Sequence, residues 1–232
     1  MQTFHSKRPS TKQFVGRLFV LLGMIILIEL VQLPLALIRK LQPDPTQSLL
    51  WVGLYFGLFA ALVWLAEKVY HWVHPEKTSR LSPATWKLMG KALVVFYLTE
   101  FLLNFINVLV FGQTQTANNE AILKLMSSNH FILGAMAVSS VVFSPVVEEL
   151  IFRGFLMDGL FGSSQFWTPI ITSGILFSLA HSSTTIASFL LYAVMGGIFA
   201  YVYRRTETIT STIYMHAFNN FIAMLMMVIT LL

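Results

Sequence analysis

Apolar stretches of about twenty residues follow one another from Phe14 to the C-terminus, each long enough for a helix to cross a bilayer. Inside hydrocarbon a backbone must satisfy its own hydrogen bonds, so such stretches become helices. The expected spans are about 14–38, 48–70, 89–111, 130–161, 168–183, 185–203 and 209–231. Composition agrees: 56% of residues are hydrophobic and 11% charged, whereas soluble domains carry about 25% charged residues. The fold class that follows is all-α, a polytopic transmembrane helix bundle of about seven spans, forming one membrane-embedded domain over 1–232. An eighth crossing stays open. Ser144-Pro145 reads as an N-cap with proline at the first helical position, which would divide the fourth span into two half-helices.

Net charge is +5, and the basic residues cluster near span ends. Lys7, Arg8, Lys12 and Arg17 lead the first span, and Lys68, Lys77, Arg80, Lys87 and Lys91 crowd the second connection. Arg204-Arg205 precede the last span, whereas 112–129 holds only Lys124 against Glu120. Charges so placed orient spans and do not make a nucleic-acid footprint, so no nucleic-acid partner is expected. The positive-inside rule gives a multi-pass protein of the cell membrane with a cytoplasmic N-terminus, Arg39-Lys40 being the dissenting pair. The first apolar run is too long for a cleavable signal, so an uncleaved first helix is expected. With no cysteine in the chain, disulfides, thiolate metal sites and a cysteine nucleophile are excluded.

Six residues stand out in this setting: Glu148, Glu149, Arg153, His181, His216 and Asn220, all within otherwise apolar helices. An ionisable group at bilayer depth costs roughly 3 kcal/mol or more and is by default a sign of function. Glu149 and Arg153 are spaced i,i+4 with the acid first, the favourable order for an ion pair on one helix face. Glu148 lies about 100° further round the helix, which leaves it free to act as a general base. Phe177 shares a face with His181. His216 shares one with Asn220, presenting an imidazole and a carboxamide as candidate oxyanion donors. Measured from the basic ends of their helices, Glu149, His181 and His216 lie roughly 18, 20 and 12 Å deep. That is similar enough for one shared cavity, expected to open on the cytoplasmic side.

Other chemistries draw on the same residues. Acids and histidines also lock helices together in membranes. Glu148 or Glu149 with His181 and His216 would make a two-histidine, one-carboxylate set of the kind that holds catalytic zinc. His-Glu-x-x-His and Gly-x-Ser-x-Gly are both absent, as are the paired aspartates of an intramembrane aspartyl protease. Glu100, Asn104 and Asn107 form a second polar stripe, expected to face the bundle interior; Glu29, Glu67 and Asp158 are given no catalytic role. Ion transport is disfavoured, because the two halves of the chain lack a matched pair of interrupted helices.

The ordered strings Glu-Glu-x-x-x-Arg at 148–153, Phe-x-x-x-His at 177–181 and His-x-x-x-Asn at 216–220 resemble those of the CAAX protease and bacteriocin-processing (Abi) family. The resemblance covers 148–220; residues 1–130 match only as hydrophobic helices. It implies an intramembrane endopeptidase acting on a hydrophobic or lipid-associated peptide or protein, such as a CAAX-type, pheromone or bacteriocin precursor, in contact with membrane lipid. It also implies that Glu148 activates water, His181 assists, Glu149 with Arg153 braces the motif, and His216 with Asn220 stabilises the oxyanion. The implied chemistry is glutamate-dependent without a cofactor, a divalent metal such as zinc being the alternative. A non-enzymatic role in bacteriocin self-immunity, or as a membrane scaffold, is the competing reading of the same polar groups.

Overall fold

The computed structural model describes residues 9–74, 81–162 and 165–231. Lys7, Arg8, Lys77 and Arg80 of the orientation argument lie outside the described residues. Regular structure among the described residues is all helical. It runs α1 (Thr11–Leu30), α2 (Leu33–Leu41), α3 (Pro45–Val73), α4 (Pro83–Phe111), α5 (Ala117–Met126) and α6 (His130–Glu149), then a π-helical turn (Leu150–Phe155), α7 (Leu156–Leu160), α8 (Trp167–Leu179), α9 (Ile186–Thr206) and α10 (Ile209–Leu231).

Short polar side chains decide where helices begin. Ser10, Asp44, Ser82, Thr116, Asn129 and Thr185 each accept a backbone N–H from the first turn of the helix that follows. Pro45 and Pro83 sit in first turns, where a missing N–H costs nothing. Gly112 ends α4 with φ of 66°, the left-handed conformation glycine takes without strain.

Among the described residues six helices are long and apolar enough to cross a membrane, fewer than the seven spans expected. The difference is the 168–183 stretch. It folds as the 13-residue α8, about 20 Å long and short of a hydrocarbon core about 30 Å thick. The first expected span is bent, with α1 giving way to α2 ahead of Pro34, which has no N–H for the carbonyl one turn back. The expected division at Ser144-Pro145 does not occur: Pro145 lies inside α6. The irregularity comes later, as the π-turn at Leu150–Phe155, so residues 130–160 form one rod with no eighth crossing.

α9 is the most buried of the six long helices and packs against α8, α4 and α10. Its approach to α8 is glycine-dependent: a Cβ on Gly174 would sit 2.6 Å from the Ala193 carbonyl oxygen, and one on Gly196 3.0 Å from the Gly174 Cα. Small residues at such crossings let two backbones meet in a lipid setting where apolar burial gives little drive. Large apolar side chains such as Phe19, Leu50, Leu98 and Phe101 point outward, as lipid-facing surfaces do.

At one end of the bundle Asp158 receives Arg204 Nη1 at 2.8 Å, Tyr203 Oη at 2.6 Å and His74 Nε2 at 2.6 Å. Arg17 donates to the Gly159 carbonyl from α1. The start of α1 and the ends of α3, α7 and α9 therefore meet at this basic end, closed over by Phe155, Leu156 and Met157, all 0% exposed.

Candidate functional site

The π-turn gives the Glu148–Arg153 segment its local geometry. π-turns concentrate at functional sites because they shift side chains out of helical register, and here the shifted stretch carries Arg153. The expected ion pair forms, with Arg153 Nη1 donating to Glu149 Oε1 at 2.8 Å and neither side chain exposed. Arg153 Nη2 donates to the Gly196 carbonyl at 3.1 Å, and the guanidinium lies 4.6 Å from the Phe177 ring centre and 5.5 Å from that of Phe199. The close α8–α9 approach makes this possible, because it brings a backbone acceptor and two aromatic faces up to a buried cation.

His216 reaches in from α10, with Nδ1 2.8 Å from Glu149 Oε1. A carboxylate paired with arginine only accepts, so Nδ1 carries the proton and Nε2 is left open. Nε2 lies 3.9 Å from Glu148 Oε2, too far for a direct hydrogen bond. As expected, Glu148 points elsewhere than Glu149. It lines a cavity while Glu149 is sealed away, and its Oε2 has no hydrogen-bond partner among the described residues.

His181 comes just past the end of α8, with its ring on Phe177 as expected, centres 4.4 Å apart. Its Nδ1 lies 2.8 Å from the Phe177 carbonyl oxygen, an acceptor, so here too Nδ1 donates and Nε2 is open. Asn220 lines the cavity but spends one amide N–H on the Ser140 carbonyl, at 2.9 Å. Of the two expected donors, Asn220 thus keeps its second amide N–H, and His216 donates at Nε2 only in its imidazolium form.

The cavity holds about 440 Å³, a volume typical of small-molecule and peptide pockets. Glu148, His181, His216 and Asn220 all line it, so four of the six expected residues converge on one space while Glu149 and Arg153 stand behind them. Glu100 and Asn104 of the second stripe line it too, with Glu29. Asn107 is buried and accepts from Thr185 Oγ1 at 2.6 Å. The walls run through Met224 and Met227 to Asn118 and Leu125 of α5. The lining thus runs away from the Asp158 network at the basic end and toward α5. Sequence reasoning missed Tyr192 and Thr116, which also border it; neither belongs to a motif, and only the fold brings them to His181. Among the described residues no group of three His, Asp or Glu side chains is arranged to hold a metal ion.

Residues 130–222 match the family model described as "Type II CAAX prenyl endopeptidase Rce1-like". The matched segment contains all three motifs, in agreement with the resemblance read from the sequence. A Bacillus subtilis (strain 168) protein named "Putative membrane peptidase YdiL" is 28% identical over 142 residues, 61% of this chain and 55% of that protein. The chain thus spans about half the length of the curated relative it matches. No solved structure matches it.

Proposed function

We propose, from the match of residues 130–222 to the type II CAAX prenyl endopeptidase model, that this chain is an intramembrane peptidase of the CAAX protease and bacteriocin-processing family in which Glu148 activates the attacking water. One observation carries the reading: a carboxylate oxygen with no partner among the described residues and a histidine with an open Nε2 line the same cavity. Both are acceptors. A water between Glu148 Oε2 and His181 Nε2 donates one proton to each, which turns its lone pair toward a carbonyl carbon held in the cavity. As the oxygen attacks, Glu148 takes the proton and then delivers it to the leaving nitrogen.

The carbonyl oxygen becomes negative in the same step. His216 in its imidazolium form, with Nε2–H directed into the cavity, and the second N–H of Asn220 are the groups that meet it. Glu149 holds the proton on Nδ1 and stabilises the positive ring, as a carboxylate behind a catalytic histidine does. The substrate is a hydrophobic or lipid-associated peptide, matched to a cavity walled in part by Met195, Met224 and Met227. No metal enters these steps.

Comparing peptides from cells carrying wild-type protein, Glu148→Gln, or no gene identifies the substrate and tests the activity together. The expected result is a cleaved peptide seen only with the wild type. Cleavage retained by Glu148→Gln would remove Glu148 from its role, and a protective effect without any cleavage would favour the immunity reading. Turnover of that peptide by purified protein, unchanged by a strong chelator, is the outcome expected of a metal-free reaction; loss on chelation and recovery with zinc would replace it.

A further inference from the structure

We infer that Tyr192 is a positioning residue for His181 and that Thr116 holds Tyr192 in place, so that the loop leading into α5 sets the orientation of the imidazole. The inference rests on the reading of His181 as a group that holds the attacking water.

His181 lies beyond the last residue of α8, Leu179, so no helical hydrogen-bond ladder fixes its backbone on both sides. Its ring is steadied instead by two aromatic neighbours. Phe177 comes from its own motif, at 4.4 Å between ring centres and 31° between planes. Tyr192 comes from α9, nearer to parallel, at 4.6 Å and 23°. Stacking fixes the tilt of a ring but lets it slide. Sliding is limited here because the Tyr192 hydroxyl is bonded to Thr116 Oγ1 at 2.8 Å, with Tyr192 and Thr116 only 6% and 3% exposed. Thr116 is itself fixed as the N-cap of α5, accepting the Asn119 N–H at 3.2 Å. A second tie runs alongside, where the Asn118 N–H donates to the carbonyl of Ser182, the residue after His181. A chain of contacts therefore leads from α5, which walls the cavity, through Thr116 and Tyr192 to the imidazole. A peptide that moves α5 on binding moves His181 with it.

The test uses Tyr192→Leu, Tyr192→Phe, Thr116→Val and the Phe/Val double variant of the full chain in detergent. Thermal melts accompany kcat and KM for the peptide identified in cells. A readout that needs no substrate is the 15N signal of His181, assigned by its loss in His181→Gln. Tyr192→Leu is expected to lower kcat about tenfold or more with KM within about twofold, because a small misplacement of a group that orients the water is felt in the chemical step. Tyr192→Phe keeps the ring and recovers most of that loss. Thr116→Val costs at least as much as Tyr192→Phe, because it also removes the α5 cap, and the double variant loses less than the sum of the two single ones, because the Tyr192–Thr116 bond they share is removed only once. The 15N signal shows one Nδ1–H tautomer in the wild type and in Tyr192→Phe, and an average of two in Tyr192→Leu.

Wild-type kcat with an undisturbed His181 signal in Tyr192→Leu would overturn the inference. So would losses that add in the double variant, or a fall in kcat that merely follows melting temperature and is not recovered by phenylalanine. If Tyr192→Leu does not fold, the single and double removals of the Tyr192–Thr116 bond decide. If the wild type cleaves nothing, the peptidase reading fails separately, and the 15N signal alone still tests Tyr192.

Discussion

Glu148 and Glu149 are neighbours with opposite surroundings, and single substitutions should separate them. Glu148 Oε2 has no hydrogen-bond partner among the described residues, so Glu148→Gln removes a base without breaking a bond at that atom. Turnover should fall at least about 100-fold while the melting temperature barely moves. Glu149 receives both Arg153 and His216 at 2.8 Å. Glu149→Gln keeps the shape but lets an amide donate where a carboxylate accepted, which favours the wrong tautomer of His216. By analogy with other histidines backed by a carboxylate, kcat should drop by about 10⁴ with a much smaller change in KM. Arg153→Met takes the cationic partner from the buried Glu149 and leaves it His216, and a loss of about 3–5 kcal/mol of stability is expected, read as a lowered melting temperature even where activity is not assayed.

At the scale of elements, the α8–α9 crossing sets how well the site is built, because Arg153 reaches the Gly196 carbonyl only where the two backbones nearly touch. Gly174→Ala would press a methyl group against backbone atoms that cannot step aside. About 1–3 kcal/mol should be lost, and activity with it. Gly197 is the control: nothing lies within 4 Å of an added Cβ, so Gly197→Ala should fold normally and gain slightly, by less than about 1 kcal/mol. If the two alanines behave alike in a thermal melt, the crossing is not the constraint described. These glycines were visible in the sequence, but only the packing distinguishes Gly174 and Gly196 from Gly197, one residue away.

For the whole molecule, the arrangement of ends fixes a topology that can be read from outside. Arg17, His74, Asp158 and Arg204 gather at one end, and α5 with the cavity residues it contributes lies toward the other. Because the chain has no cysteine, single cysteines report without background. With a cytoplasmic N-terminus, Lys12→Cys should react only with a reagent that crosses the membrane, and Ser127→Cys, exposed beyond the end of α5, should react with one that does not. The reverse pattern would invert the orientation and put α5 on the cytoplasmic side.

What the sequence determined by itself were the properties that depend on spacing along one helix or on composition. These are the membrane class, the helical spans, the Glu149–Arg153 pair, the stacking of Phe177 on His181, and the separation of Glu148 from Glu149. Each is local, since i,i+4 geometry and the length of an apolar run hold whatever the neighbours do. The tertiary structure decided what depends on atoms far apart in the chain: that 168–183 stops short as α8, that Pro145 is carried inside a continuous rod, and that the basic end is tied together at Asp158. It also decided that Glu149 fixes the proton of His216 and that Tyr192, tied to Thr116, stacks on His181. A hydrogen bond between residues dozens of positions apart leaves no periodic trace, because its strength comes from the packing that removes water and competing partners, and that packing exists only once the bundle has formed.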